Sequence, residues 1–287
     1  MNKFLALKII LEQQNITKAA KILGYTQPAV TQMIASLEND LGFPLLIKKH
    51  RQINLTPEGE RIFPFINQLL NDYQALEEQK QEIQGESTVI KIATIPSISQ
   101  QWLPKLIANF QKQFENIEFA IIQGDGTSIP NWIENGEADI GFVNGDVTEN
   151  GLVIQHQVLK AILPLPLAQN FPENQPIPLA NLTNYDYILL EEGLFSESVS
   201  EFQKIGIEPK MKLRLHDSFS TILMVEQGLG YSIMPMDEET ESLYQIKSFD
   251  TVPTISRSIS LLQKNDGLLT NGAKNFVKFV QTHRNAL

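Results

Sequence analysis

The chain has 287 residues, 42% of them hydrophobic and 20% charged, with a formal net charge of −10. That is the composition of folded protein with room for two or three domain cores, and it argues against extended disorder. With no cysteine in the sequence, a disulfide framework and any thiolate-based metal or catalytic site are excluded.

The apolar opening at residues 4–11 is interrupted by Lys8 and lacks the small-residue cleavage site of a signal peptide. No apolar run approaches the ~20 residues of a membrane span, so the expected location is the cytoplasm, with no membrane partner. The charge is unevenly placed. Residues 1–60 hold seven Lys/Arg against five Asp/Glu, a net of +2, which leaves −12 for the rest. A mildly basic head on an acidic body suits a separate DNA-binding module, although the excess is too small for strong non-specific affinity.

In chain order, Phe4, Leu7, Ile10 and Leu11 recur at helical spacing. A short helix follows from Thr17 to Leu23 and stops at Gly24, a residue that tolerates the left-handed conformation after a helix. Thr26 can then cap a second helix with Pro28 in its first turn, and Val30, Ile34, Leu37 and Leu41 give it a buried stripe. Gln27, Thr31 and Gln32 remain on its outer face. A Gln amide can pair bidentately with adenine and a Thr methyl can touch thymine, so this face is suited to a major groove, the alternative being a solvated helix surface. Two short strands, residues 43–47 and 52–55, then flank Lys48, Lys49, His50 and Arg51, a basic loop able to hold phosphates.

These residues resemble the N-terminal domain of LysR-type transcriptional regulators. The resemblance is carried by Thr17, Ala19, Ala20 and Leu23, by Thr26, Gln27, Pro28, Ala29, Val30 and Thr31 with Ile34, Leu37 and Glu38, and by Leu41, Gly42, Leu45, Arg51, Leu55, Thr56, Pro57 and Gly59. It implies a winged helix-turn-helix whose DNA contacts are Thr17, Thr26, Gln27, Pro28, Thr31, Gln32, Lys48, Lys49 and Arg51. The family usually has Phe at Leu46 and Arg at Lys48, and often basic residues at positions 32 and 35, where Gln32 and Ala35 stand here. Lys48 keeps the charge and loses the bidentate fork.

Thr56, Pro57 and Glu58 are together a helix start, with a capping hydroxyl, proline at the first position and acid facing the positive dipole end. The helix is expected to reach about Gln84, loosened early by Pro64. Ile62, Ile66, Leu69, Tyr73, Leu76 and Ile83 form a narrow seam along it, with Lys80 as its charged member. A seam this narrow fits dimerisation through Ile62, Ile66, Leu69, Tyr73 and Leu76, the alternative being packing on the chain's own domain. Gly85, Glu86 and Ser87 then read as a hinge.

Beyond the hinge, strand-like residues 89–95, 117–123 and 139–143 alternate with helix-like residues 100–114 and 129–135, a succession of βαβ units. A proline-marked crossover (Pro164, Pro166, Pro172, Pro176 and Pro178) precedes strand-like residues 187–190. Residues 220–227 read as helix, 231–234 and 258–262 as strands, and 273–282 as a closing helix; this last strand and helix are expected to return to the first subdomain. Trp102, Leu103 and Pro104, Gly136 with Ala138, Asp139 and Ile140, Asp217, Ser218 and Phe219, and Glu226 through Pro235 resemble the family's effector domain. That domain is itself similar to periplasmic solute-binding proteins, two α/β lobes around a cleft.

The implied fold class is α/β. It comprises a winged helix-turn-helix at residues 1–57, a linker and dimerisation helix at 58–84, and an effector-binding and oligomerisation domain at 88–287. Lobe I is expected over about 88–160 plus 263–287, and lobe II over about 161–262. Anions are received where strand ends meet helix starts, which points to Ser97 and Ser99, to Thr127 and Ser128, and to Asn144, with Ser218 and Phe219 facing the cleft by resemblance. Ser97, Ser99 and Ser218 also fit simple helix capping, and Phe219 a core position.

Enzymatic chemistry is not expected. His50, His156, His216 and His283 lack metal spacing, no Gly-x-Ser-x-Gly elbow occurs, and Gly228-x-Gly230 has no third glycine. No metal or cofactor is expected either. The expected partners are double-stranded DNA, a small effector of anionic character, further copies of the chain as dimer or tetramer, and RNA polymerase. The competing reading is a small-molecule binding protein without a regulatory DNA role.

Overall fold

A computed structural model of the chain describes residues 1–49, 52–85, 87–145, 151–193 and 196–284. The chain forms two compact units, Met1–Gln84 and Gly85–Leu287.

The first unit opens with α1 (Asn2–Gln13), α2 (Ile16–Leu23) and α3 (Gln27–Leu41), then the antiparallel pair β1 (Leu46–Lys49) and β2 (Gln52–Leu55), then α4 (Pro57–Ile83). Asn15 caps α2 by accepting from the Lys18 N–H at 3.0 Å. Gly24 ends that helix at φ 71°, where its N–H reaches the last carbonyls and turns the chain into α3. Leu7, Ile10, Ala20, Val30, Ile34, Leu37 and Leu45 fill one core, which Ile53, Ile66 and Leu70 complete. Two side chains tie the strands to this core. Glu38 accepts from the N–H groups of Leu45 (2.7 Å) and Leu46 (3.1 Å), and Gln14 accepts from the Ile53 N–H at 2.9 Å. Thr56 caps α4 at the Gly59 N–H, 2.9 Å, and donates to the Pro44 carbonyl at 2.7 Å. The helix runs on through Pro64.

The second unit begins with β3 (Thr88–Thr94), α5 (Pro96–Gln101), α6 (Leu103–Gln111), β4 (Ile117–Gln123), α7 (Ser128–Glu134) and β5 (Ile140–Asn144). The single helix expected over residues 100–114 is in fact two. Pro104, in the first turn of α6, has no N–H to give the preceding turn, and the ladder breaks there. Parallel β4, β3 and β5 form the sheet of lobe I.

The chain continues with β6 (Gly151–Pro164), α8 (Leu165–Ala168), β7 (Ile177–Pro178), β8 (Asp186–Leu190), α9 (Glu197–Lys204), β9 (Lys210–Leu215) and α10 (Ser218–Glu226). It closes with β10 (Ser232–Met234), α11 (Glu238–Glu241), β11 (Ile246–Phe249), β12 (Thr251–Val252), β13 (Ile255–Gln263) and α12 (Asn271–His283). Eight of these were not anticipated: β6, α8, β7, α9, β9, α11, β11 and β12.

β6 and β13 are the structural link between lobes. They pair antiparallel from Ile255↔Leu159 to Leu262↔Gly151, with an irregularity between Ile259 and Ser260. Ile154, Ile259 and Leu261 enter the lobe I core, built around Ile90, Ile92, Phe110, Phe142, Phe276 and Phe279. Leu159, Leu163 and Ile255 enter the lobe II core, with Leu182, Tyr187, Phe202 and Tyr231. The last strand and helix return to lobe I, as expected, with β13 beside β5 and α12 packed in the same core.

Candidate functional site

The first candidate surface is the exposed face at the start of α3. Thr26 caps this helix through the Ala29 N–H at 3.4 Å, and Val30, Ile34 and Leu37 point into the core. The opposite face is therefore turned to solvent: Gln27, Pro28, Thr31 and Gln32 are exposed, as are Thr17 on α2 and Lys48 on β1. Thr31 donates to the Gln27 carbonyl at 3.0 Å, which fixes its hydroxyl on the helix backbone. Thr17 lies 3.5 Å from the Gln27 amide oxygen, at the limit of a hydrogen bond. Arg51 and His50 lie outside the described residues, as does the side chain of Lys49. Lys48 stands opposite Ile53 in the two-stranded ladder and lines a shallow pocket together with Thr31 and Ala35 of α3.

Along α4, the seam divides. Ile66 is 5% exposed and packs in the head's own core, with Ile62 partly buried against it. The buried Ile66 is thereby corrected to packing within the head, where α4 lies against α1. Leu69, Tyr73, Leu76 and Ile83 are exposed, Leu76 at 60%, and Phe65 joins them at 73%.

In the second unit a cavity of about 480 Å³ lies among the ends of β5 and β8, the start of α9, and β13. Gly126, Thr127, Asn144, Gly145, Glu192, Gly193, Glu197, Ser256, Arg257 and Ser258 line it. Its chemistry centres on Arg257, which projects from the linking strand β13 and is 3% exposed. Each guanidinium nitrogen has an acceptor: Glu192 takes Nη1, the Ser97 hydroxyl takes Nη2 at 2.9 Å, and Gln157 takes Nε at 2.9 Å. The Glu192 carboxylate, 4% exposed, also accepts from the Ser97 backbone N–H at 3.1 Å. A lobe II carboxylate thus occupies the strand-end position in lobe I at which sequence reasoning expected an external anion. Glu197 reaches in from the first turn of α9 and accepts from Asn144 at 3.2 Å. Burial pushes its carboxyl above the usual range, against the pull of its own backbone N–H and of Arg257.

Of the sequence-predicted effector residues, Thr127 and Asn144 line this cavity, and the others do something else. Ser97 is 2% exposed, with its N–H and hydroxyl engaged by Glu192 and Arg257. Ser99 donates to the Pro96 carbonyl at 2.8 Å and accepts from Gln123 at 2.7 Å, both within lobe I. Ser128 belongs to a cap centred on Asp125, whose carboxylate accepts from the Thr127 and Ser128 N–H groups at 2.9 and 2.8 Å. Those backbone bonds, Ser128 first, hold Asp125 below its ordinary range. Ser218 is buried at the start of α10, where Asp217 is the capping residue, and Phe219 is half exposed; neither lines the cavity. The charged residues of the cavity, Glu192, Glu197 and Arg257, were missed, as were Ser256 and Ser258 beside Arg257. Arg257 did carry a signal, since an arginine inside an apolar strand has to find a buried acceptor.

Asp139 and Lys264 form a second buried pair, 3.0 Å apart, and Asp139 also accepts from the Lys91 N–H at 2.9 Å. This fastens the turn before β5 to the end of β13 and is structural. Among the described residues no group of His, Asp and Glu could hold a metal ion, and no helix is long and apolar enough to cross a membrane.

The sequence profile of the bacterial regulatory helix-turn-helix protein, lysR family, matches residues 1–60, and that of the LysR substrate binding domain matches residues 84–285. The chain belongs to the LysR family. This LysR-type transcriptional regulator is 25% identical to the HTH-type transcriptional regulator CzcR of Bacillus subtilis (strain 168), over 97% of this chain and 96% of the relative. Its fold is shared with full-length CbnR complexed with its target DNA, at TM-score 0.71 and 19% identity, covering 98% of each chain. The effector binding domain of QuiR in complex with shikimate also matches, at TM-score 0.61 and 23% identity, covering 70% of this chain and 99% of that one.

Proposed function

We propose that this LysR-type regulator acts in the cytoplasm as a dimer, or a tetramer built from dimers, and that it sets transcription through RNA polymerase at promoters carrying two half-sites. The observation that carries the reading is the exposed polar face at the start of α3. The stripe formed by Val30, Ile34 and Leu37 is turned into the core, so Gln27, Pro28, Thr31 and Gln32 are left exposed. In a major groove Gln27 pairs with adenine and Thr31 meets a thymine methyl, while Thr17, Thr26 and Gln32 position the helix and Lys48, Lys49 and Arg51 contact the backbone or the minor groove. Leu69, Tyr73 and Leu76 on α4 form the dimer contact, supported by their exposure along one helix face.

A small molecule in the cavity beside Arg257 regulates the protein, with Thr127 and Asn144 among its contacts. For this to change DNA binding, the molecule must have different affinities for two arrangements of the lobes. The expected anionic character of the effector has no support at Ser97, whose backbone N–H already donates to Glu192 and whose hydroxyl accepts from Arg257. The reading is tested by measuring full-chain binding to a promoter fragment and to a shuffled sequence of equal length. A clear preference for the promoter supports it, and equal affinity at all salt concentrations refutes it.

A further inference from the structure

Anion sites need donors in excess, and the charged donor of this cavity is already committed to a protein carboxylate. Each nitrogen of Arg257 already has a protein acceptor, and the Ser97 N–H is bonded to Glu192. Among the described residues that line the cavity, the charged ones are Glu192, Glu197 and Arg257, two carboxylates to one guanidinium. Glu192 and Arg257 neutralise each other in a pair that is almost wholly buried. That leaves Glu197, whose hydrogen-bonding neighbour across the cavity is the neutral Asn144 amide.

We propose that the cavity takes a small organic cation, a primary ammonium or guanidinium compound, whose charged group pairs with Glu197 while Glu192 stays on Arg257 and Ser97. The inference rests on the reading of this cavity as the effector site and adds the chemical class of the effector. A carboxylate ligand would have to enter beside Glu197 and compete with Glu192 for Arg257, bringing a third negative charge to a cavity with one guanidinium. A cation meets the opposite situation. It supplies donors to a carboxylate that burial has left poorly solvated, and it restores the charge balance of the cavity. Asn144 and Thr127 add neutral polar contacts beside it, and the cavity volume is that of a site for a small metabolite.

The test is calorimetric titration of the full chain with putrescine, agmatine and methylguanidinium, against acetate, benzoate and shikimate as carboxylate probes. Saturable binding by at least one of the cations and by none of the carboxylates is expected. Glu197→Gln keeps the shape and an acceptor for Asn144; with its fold verified by circular dichroism, it should weaken the bound cation about tenfold or more. Binding of a carboxylate, absence of binding by all three cations, or undiminished cation binding to the variant would overturn the proposal. DNA-binding measurements on the same samples separate this result from the regulatory reading. A cation that binds through Glu197 without changing promoter affinity supports the ligand class and removes regulation from the cavity. A carboxylate that binds and changes promoter affinity does the reverse.

Discussion

Gln27 and Thr31 are held on the outer face of α3 by residues that never touch DNA. Val30, Ile34 and Leu37 fix the rotation of the helix, and the Thr26 cap fixes where it starts. Gln27→Ala should therefore leave the fold intact, weaken binding to the specific site by about 1–3 kcal/mol and barely alter binding to random DNA. Competition titrations read both quantities, and equal losses on the two DNAs would mean that Gln27 only positions the backbone. Glu197 makes a second residue-level case, in which burial raises its carboxyl above the ordinary 4.5. Ionising it thus costs folding stability, a cost that is absent below the unfolded value and complete only above the raised one. In neutral buffer Glu197→Gln should match or exceed the parent's melting temperature, and the gain should vanish as the pH falls below 4.5. A loss of stability that grows with pH would show that the ionised carboxylate is itself stabilising.

At the scale of elements, α4 has two jobs along its length. Its first turns close the head, where Ile66 and Leu70 enter the core and Gly59 lies against the 43–45 turn. A Cβ at Gly59 would sit 2.6 Å from the Leu45 carbonyl oxygen, so Gly59→Ala should destabilise the head by roughly 1–3 kcal/mol, readable as a lowered melting midpoint. Its later turns present Leu69, Tyr73 and Leu76 outward. Leu69→Asp should yield monomers or much weaker dimers by light scattering, because it places a charge in the contact without touching the head's core. A normal dimer would remove this face from the assembly.

The head's elements could be read locally: capping residues, a proline in a first turn and helical spacing are all short-range signals, and Thr26 and Thr56 cap their helices as expected, while the Asn15 cap of α2 was not read. The division of the α4 seam could not be read so, since Ile62 and Ile66 show the same spacing whether they meet α1 or a second chain. β6 was hidden for a different reason. It passes from one core to the other, so its apolar residues change faces midway, and Gln155, His156 and Gln157 interrupt any strict alternation. The cavity was the least legible feature, because Ser97, Glu192 and Arg257 meet across 160 residues of sequence.

For the whole molecule, the acidic body and mildly basic head set how DNA is approached. With a head charge of about +2, affinity should rest on a few phosphate contacts, and Lys48→Ala should lower the slope of log K against log salt by roughly one unit. An unchanged slope in a folded variant would take Lys48 off the phosphates. Assembly then determines what the two heads read together, since paired helix-turn-helix units address half-sites about one DNA turn apart, or a multiple of it. The most direct measurement is selection of binding sequences from a random DNA library by the full-length protein. An enriched motif of two half-sites at such a spacing is expected, degraded at its A·T positions when Gln27→Ala replaces the parent. A selected pool with no shared motif, or one that the variant reproduces unchanged, would contradict that expectation.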